Sequence, residues 1–139
     1  MRIKEFIREY QKIFYLALGL IVAWLGSIPL QSYLLKRTLT RTTVTILKNW
    51  ETNNLTANFT YWKVPENAPP IYGLLSYKIV KSTYQMEGEI PAYKFYLELE
   101  FPADTLLPAG KTWILEYYKF PRIGWLVANF GIDNSNPPE

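Results

Sequence analysis

Ile13-Phe-Tyr-Leu-Ala-Leu-Gly-Leu-Ile-Val-Ala-Trp-Leu-Gly-Ser-Ile-Pro-Leu-Gln-Ser-Tyr-Leu-Leu35 is the stretch on which the architecture of this chain turns. Between Lys12 and Lys36 it holds 23 consecutive residues without a charge, most of them apolar. As a helix it covers roughly 34 Å, enough to cross a hydrocarbon core of about 30 Å with some tilt. Ile13 to Trp24 is apolar on every side apart from Tyr15 and Gly19, so it does not read as a core helix with a polar back. Pro29 removes a backbone donor and predicts a kink or an end to the tight part of the helix. The reading is a transmembrane helix over 13–35, an amphipathic juxtamembrane segment over 1–12 and one small domain over 36–139.

A cleaved leader is the rival for the apolar run, since a basic start precedes it. The basic region is long for a leader, however, and no Ala-x-Ala-like site follows. Trp24 and Leu25 occupy the places where a cut near Gly26-Ser27 needs small residues. A retained single-pass anchor is expected. Ahead of it, Ile3, Phe6, Ile7, Tyr10, Ile13 and Phe14 recur at helical spacing, with Arg2, Lys4, Glu5, Arg8, Glu9 and Lys12 on the other side. Such a helix lays its basic groups against lipid headgroups. Arg2, Lys4, Arg8, Lys12, Lys36 and Arg37 are therefore the expected membrane-surface residues, and membrane lipids the expected partners. Lys and Arg flank the run about equally on both sides, so the positive-inside rule nearly ties. The short basic tail favours a cytoplasmic N-terminus and a C-terminal domain on the non-cytoplasmic side.

The net charge of +3 conceals two opposite halves. Residues 1–50 hold eight Lys/Arg against two Glu, and residues 51–139 hold seven against ten Asp/Glu. The basic half is the membrane-proximal one, and the domain has no basic stripe, which argues against nucleic acid. With no cysteine and no histidine, the chain lacks thiolate nucleophiles, Ser-His-Asp chemistry and the usual zinc, copper and haem ligands. No cofactor, no metal and no catalytic residue is expected.

After the anchor, Leu39, Thr42 or Thr43, Ile46, Leu47 and Trp50 predict a helix over 38–62, with a break near Asn53-Asn54. Val64 to Pro70 is a proline-rich link. Four strand-like segments follow: Leu75–Val80, Tyr93–Phe101, Trp113–Phe120 and Trp125–Ile132. Tyr93, Phe95, Leu97, Leu99 and Phe101 alternate with polar residues. The last two segments are apolar on both parities and read as central or doubly covered. Glu87-Gly88, Pro102 to Gly110 and Pro121-Arg-Ile-Gly124 mark turns. Short links between successive strands predict an antiparallel meander under a helical layer, hence an α+β fold with a helix-plus-four-stranded, curved antiparallel sheet.

In this order, Leu47-Lys-Asn-Trp50-Glu-Thr-Asn, further helical turns, a proline-rich link and four strands ending in Gly124-Trp125-Leu-Val-Ala-Asn-Phe130, the chain resembles NTF2-like (cystatin-like, cone-shaped) domains. The likeness covers residues 38–133. That superfamily includes enzymes, ligand binders and assembly modules, and its enzymes place an acid or His in the cone; His is absent here.

Ala109-Gly-Lys-Thr112 is not a phosphate loop, because Thr105 stands where the first Gly is required and an apolar strand follows. Asn54-Leu-Thr56 and Asn58-Phe-Thr60 match glycosylation acceptors. Glu98 and Glu100, with Lys94 alongside, read as a solvated charge row. Glu116 is the one charge inside Trp-Ile-Leu-Glu-Tyr-Tyr and must be paired or neutralised. It is read either as an outward strand residue opposite a Lys or as lining an aromatic-walled pocket with Tyr118 and Asn129. Two functions follow as expectations. The first is a non-enzymatic, single-pass accessory or assembly subunit, binding other membrane protein subunits through its span and aromatic-rich domain. The alternative is a membrane-anchored small-molecule binder or carboxylate-dependent enzyme with a pocket near Glu116.

Overall fold

The computed structural model describes residues 3–134, and at positions 3 and 26–29 the backbone alone. A single α-helix, α1, runs Ile3–Glu51. The amphipathic start, the apolar run and the first helix of the domain are thus one element, and Pro29 does not end it. A proline withdraws one backbone donor, while the turns on either side keep their own bonds, so a long helix survives it. The chain divides into two compact units, Met1–Arg41 and Thr42–Glu139.

In the first unit every described side chain from Lys4 to Leu25 is exposed. The helix is long and apolar enough to cross a membrane.

The second unit begins with the end of α1. Thr43, Ile46, Leu47 and Trp50 recur at i, i+3, i+4 and i+7, and all four are buried. The helix stops after Glu51 because Asn53 takes a left-handed conformation, φ 61°, which an Asn side chain tolerates better than most. The Asn54 amide closes the end by donating to the Asn49 carbonyl at 2.8 Å. The helix expected over 38–62 therefore ends near its forecast break, and 3-10 turns at Leu55–Tyr61 and Pro65–Asn67 follow. The Gly73 N–H donates to Asn53 Oδ1 at 2.6 Å, tying the proline-rich link back to the helix end. Asn58 is buried; its Oδ1 accepts from Asn49 Nδ2 at 2.8 Å and its Nδ2 donates to the Ile46 carbonyl at 3.2 Å. Its side chain is thus a structural clamp, and of the two sequons only Asn54 stands exposed.

Four strands form one antiparallel meander in the order β1-β2-β3-β4: β1 Ser76–Glu87, β2 Ile90–Glu100, β3 Thr112–Phe120 and β4 Gly124–Ile132. Gly88, at φ 65°, opens the two-residue turn between Glu87 and Ile90, the place where a hairpin demands a residue free to adopt positive φ. The α+β expectation holds, with the sheet curved and antiparallel. The strand details hold less well. Trp125–Ile132 is an edge strand, not a central one. Its apolar residues fall on both parities because the register shifts opposite Glu116/Tyr117, leaving Ala128 as the extra residue. Trp125 and Val127 before the shift, and Phe130 and Ile132 after it, then all face the same side. A second shift between Ile79 and Lys81 hides the far half of β1, which runs on to Glu87 instead of stopping at Val80. The Lys63 amide donates to the Val127 carbonyl at 2.9 Å, and Trp62 bridges to Val127, so part of the β4 edge is covered.

The core lies between the end of α1 and one sheet face. Phe95, Leu97, Leu115 and Val127 are fully buried there with Ile46, Leu47 and Trp50. Aromatic rings fill the space: Trp50 packs on Phe130 at 5.1 Å between centroids, Phe130 stacks on Trp113 at 5.1 Å, and Phe95 meets Tyr117 at 5.6 Å. The Tyr117 and Thr43 hydroxyls share a hydrogen bond of 2.8 Å, joining sheet to helix. Burial pushes the Tyr117 hydroxyl pKa well above its ordinary value, although the Thr43 bond opposes the shift. The phenol therefore stays neutral in the folded chain and is not an acid in waiting.

Candidate functional site

Glu116 sits on the sheet face opposite the core, because its neighbours Leu115 and Tyr117 take the inward positions of β3. Register sets its company: Lys94 of β2 is directly opposite on one side and Asn129 of β4 on the other. Asn129 Nδ2 donates to Glu116 Oε1 at 2.8 Å and lies 3.5 Å from the Tyr118 hydroxyl. Lys94 Nζ stands 3.6 Å from Glu116 Oε2 and 3.6 Å from Glu87 Oε1, bridging two carboxylates. Glu116 is only 6 % exposed despite facing outward, and its Oε2 has the Lys94 charge nearby but no hydrogen bond. Burial alone would lower the Lys94 pKa; the Glu116 and Glu87 carboxylates outweigh it and raise the ammonium above its ordinary value. The Tyr118 hydroxyl is also raised, first by burial and then by the Glu116 charge.

Glu116, Tyr118 and Asn129 thus come together as a set. The space beside them is an open groove of about 230 Å³ lined by Lys94, Ile114, Glu116, Asn129, Phe130, Gly131 and Ile132. Tyr118, expected among the lining residues, is not one of them, and the groove follows the last residues of β4, whose Phe130 and Ile132 side chains belong to the helix-facing side. Lys94 and Glu87 complete the cluster. They are legible only once β2 is registered against β1 and β3, since Lys94 is 22 residues from Glu116 along the chain. Glu98 and Glu100 are exposed, and Glu98 pairs across the strands with Lys78. No group of three metal-ligating side chains occurs among the described residues.

The arrangement at Glu116 is that of a shielded ion pair: a carboxylate flanked by an ammonium and an amide donor. Lys94→Met strands the carboxylate and is expected to cost about 1–3 kcal/mol of stability, the penalty of a buried acceptor without its partner. Adding Glu116→Leu to it is expected to recover at least half of that loss, because the stranded charge goes too. Urea midpoints of the full chain in micelles, followed by near-ultraviolet circular dichroism, measure both; a double variant weaker than Lys94→Met would show the pair is not the source.

The membrane-surface candidates occupy the first unit. Lys4, Arg8 and Lys12 are exposed along the start of α1, and Lys36 and Arg37 are exposed just beyond the uncharged run; Arg2 lies outside the described residues. Tyr10 and Tyr15 stand exposed near one end of the run and Tyr33 near the other. From Tyr15 to Tyr33 the continuous helix rises about 27 Å, close to the separation of the two interfacial belts that tyrosines favour. Comparisons with family models, with curated proteins and with solved structures find no match to this chain.

Proposed function

We propose that this protein is a non-catalytic, single-pass membrane subunit that brings an NTF2-like domain to a membrane protein complex and supports its assembly. The observation that carries the reading is the helix itself: an uncharged run exposed on all described sides, continuous in backbone with the helix whose last turns found the domain core. An apolar helix without a polar face belongs in lipid or against other spans. Two further features favour assembly over catalysis. The helix-facing side of the sheet is filled by Trp50, Trp62, Trp113 and Phe130, where an enzyme of this shape would keep its reacting groups. The buried carboxylate on the other face is engaged by Lys94 and Asn129. In this reading the short basic tail ahead of the span favours the non-cytoplasmic side for the domain, with lipids and neighbouring membrane subunits as partners. The Glu116 groove is the basis of the alternative, a small-molecule binder.

Mild-detergent extraction of the tagged full chain, with native mass and identification of co-purifying chains, tests the reading. A stoichiometric hetero-complex that survives Glu116→Lys but weakens when the span is replaced by an unrelated one is the expected result. A lone monomer or homodimer overturns it and transfers attention to the groove. Because the chain has no cysteine, a single Leu106→Cys at a fully exposed position of the β2–β3 loop reports which side the domain occupies by labelling with an impermeant maleimide.

A further inference from the structure

The two edges of the sheet are not equivalent. The β4 edge is partly covered by Trp62 and Lys63, whereas β1 pairs only with β2 among the described residues. Within β1 the two halves differ as well. The first carries Lys78 and the register shift at Val80, devices that keep an edge from pairing with another chain. The second, Lys81–Glu87, is regular and free of Pro and Gly. The two-residue turn after Glu87 makes Glu87 and Ile90 a hydrogen-bonded pair, and the two pair types alternate from there. Pro91, which has no N–H, then falls where β1 asks for none. By the same alternation Ser82, Tyr84 and Met86 turn their N–H and C=O groups away from β2. Among the described residues no bond from outside the β1–β2 ladder meets those groups. Tyr84 and Met86 are also more than half exposed, although Tyr84 is registered against the buried Tyr93.

We infer that Lys81–Glu87 is a self-pairing edge: it takes the same segment of a second copy of this chain, antiparallel and centred on Tyr84. In that register Tyr84 faces the second copy's Tyr84, and Ser82 faces the second copy's Met86 on either side. Each of these pairs exchanges both of its N–H···O bonds, so every free group of the two edges is used. The faces match too, because facing residues are an even number of positions apart. Lys81 meets Glu87 and Thr83 meets Gln85 on one face; the Tyr84 rings and the Ser82–Met86 pairs meet on the other. Lys81 and Glu87 keep their own partners, the Tyr96 ring at 4.5 Å and Lys94 Nζ at 3.6 Å. Their opposite charges therefore favour this direction and register more than they add strength. Any other centre shortens the match, running it into the shift at Val80 or the turn at Gly88. The second copy is a partner additional to the membrane subunits of the assembly reading and does not depend on them.

Because the chain has no cysteine, cross-linking of the full chain in mild-detergent extracts tests the register. A hydrogen-bonded antiparallel pair holds its Cα atoms about 5.5 Å apart, within the span of a disulfide. On mild oxidation Tyr84→Cys is expected to give at least about tenfold more covalent dimer than Leu106→Cys on the exposed loop, since thiols held together react at a far higher effective concentration than thiols that collide. Ser82→Cys and Met86→Cys chains, which leave Tyr84 in place, should link to each other when co-expressed and not when expressed singly. Absence of that link overturns the self-pairing, whatever Tyr84→Cys does. Tyr84→Pro removes an N–H that the folded chain does not use, a change that edge strands tolerate. Added to the Ser82→Cys and Met86→Cys chains, it should cut their link to the Leu106→Cys level while amide exchange along β2 and β3 is unchanged; a link that survives it also overturns the self-pairing. Identification of co-purifying chains in the same extract separates the edge from the assembly reading. A hetero-complex without the cross-link overturns only the self-pairing, and a cross-linked pair without other chains overturns only the assembly reading.

Discussion

Trp50→Ala is expected to unfold most of the second unit under conditions where the wild-type chain is fully folded. Trp50 lies on the last buried turn of α1 and is fully buried. Its ring meets Trp62 at 6.1 Å and Phe130 at 5.1 Å between centroids, and Phe130 in turn stacks on Trp113. One side chain therefore ties the helix to the loop after it and to two strands. Truncating a buried Trp costs about 3–5 kcal/mol. Against a total of about 5–15 kcal/mol for a domain of this size, that is about a fifth of the stability at least. Trp50→Phe is a sharper probe. The indole Nε1 is buried without a hydrogen-bond partner, and such a donor carries a penalty of about 1–3 kcal/mol. Phenylalanine keeps most of the ring contact and discards the orphan donor, so its cost should stay near 1 kcal/mol or less. Amide exchange along β2 and β3, with urea midpoints of the full chain in micelles, reads both variants. Leu106→Ala, at a fully exposed loop position, is the neutral control. A Trp50→Ala midpoint matching Leu106→Ala would mean the core is organised around some other contact.

How much of this was legible before the coordinates depended on whether one periodicity held along a segment. The uncharged run needed no pattern beyond its length, and the β2 alternation from Tyr93 to Leu99 survives intact because that strand is regular. Its neighbours are not. In β4 the extra Ala128 switches which parity faces the core, so Val127 and Phe130 are both inward and the segment mimics a doubly covered strand. In β1 the shift near Val80 breaks the alternation, and the segment from Lys81 to Glu87 carries too few apolar residues to restore it. A bulge is a backbone event that leaves little local mark in sequence, and each one moves side chains to the opposite face. The Glu116 cluster was half legible for the same reason. A lone charge inside Trp-Ile-Leu-Glu-Tyr-Tyr demands a partner, and that demand follows from desolvation. Which lysine answers it follows only from register, which brings Lys94 opposite and carries Glu87 within reach. Asn58 shows the converse: a glycosylation signature in sequence becomes a buried clamp once its amide is turned toward Asn49 and Ile46.

Ile21→Arg/Leu25→Arg is expected to release the chain from the membrane. Both residues are exposed, lie one helical turn apart and sit near the middle of the uncharged run. An arginine at the centre of a spanning helix costs about 2.5–3.5 kcal/mol on insertion scales, so two on one face cost about 5–7 kcal/mol. Snorkelling relieves such charges near the ends of a span, yet these two stand too far from Lys12 and Lys36 for either end to be reached without tilt or thinning. Wild-type chain should stay in the membrane pellet through alkaline extraction, while the double variant should move to the soluble or aggregated fraction by more than about tenfold. Phe59→Arg/Tyr72→Arg changes two exposed aromatic residues of the second unit by the same chemistry and should leave the partition unchanged, which excludes a general loss of hydrophobicity as the cause. The experiment also decides against the leader alternative when intact mass is recorded on the same material. A wild-type chain cut near Gly26-Ser27 would be soluble with or without the arginines, because the segment that carries them would be gone. Full-length mass together with release by the two arginines is an outcome that only a retained anchor produces.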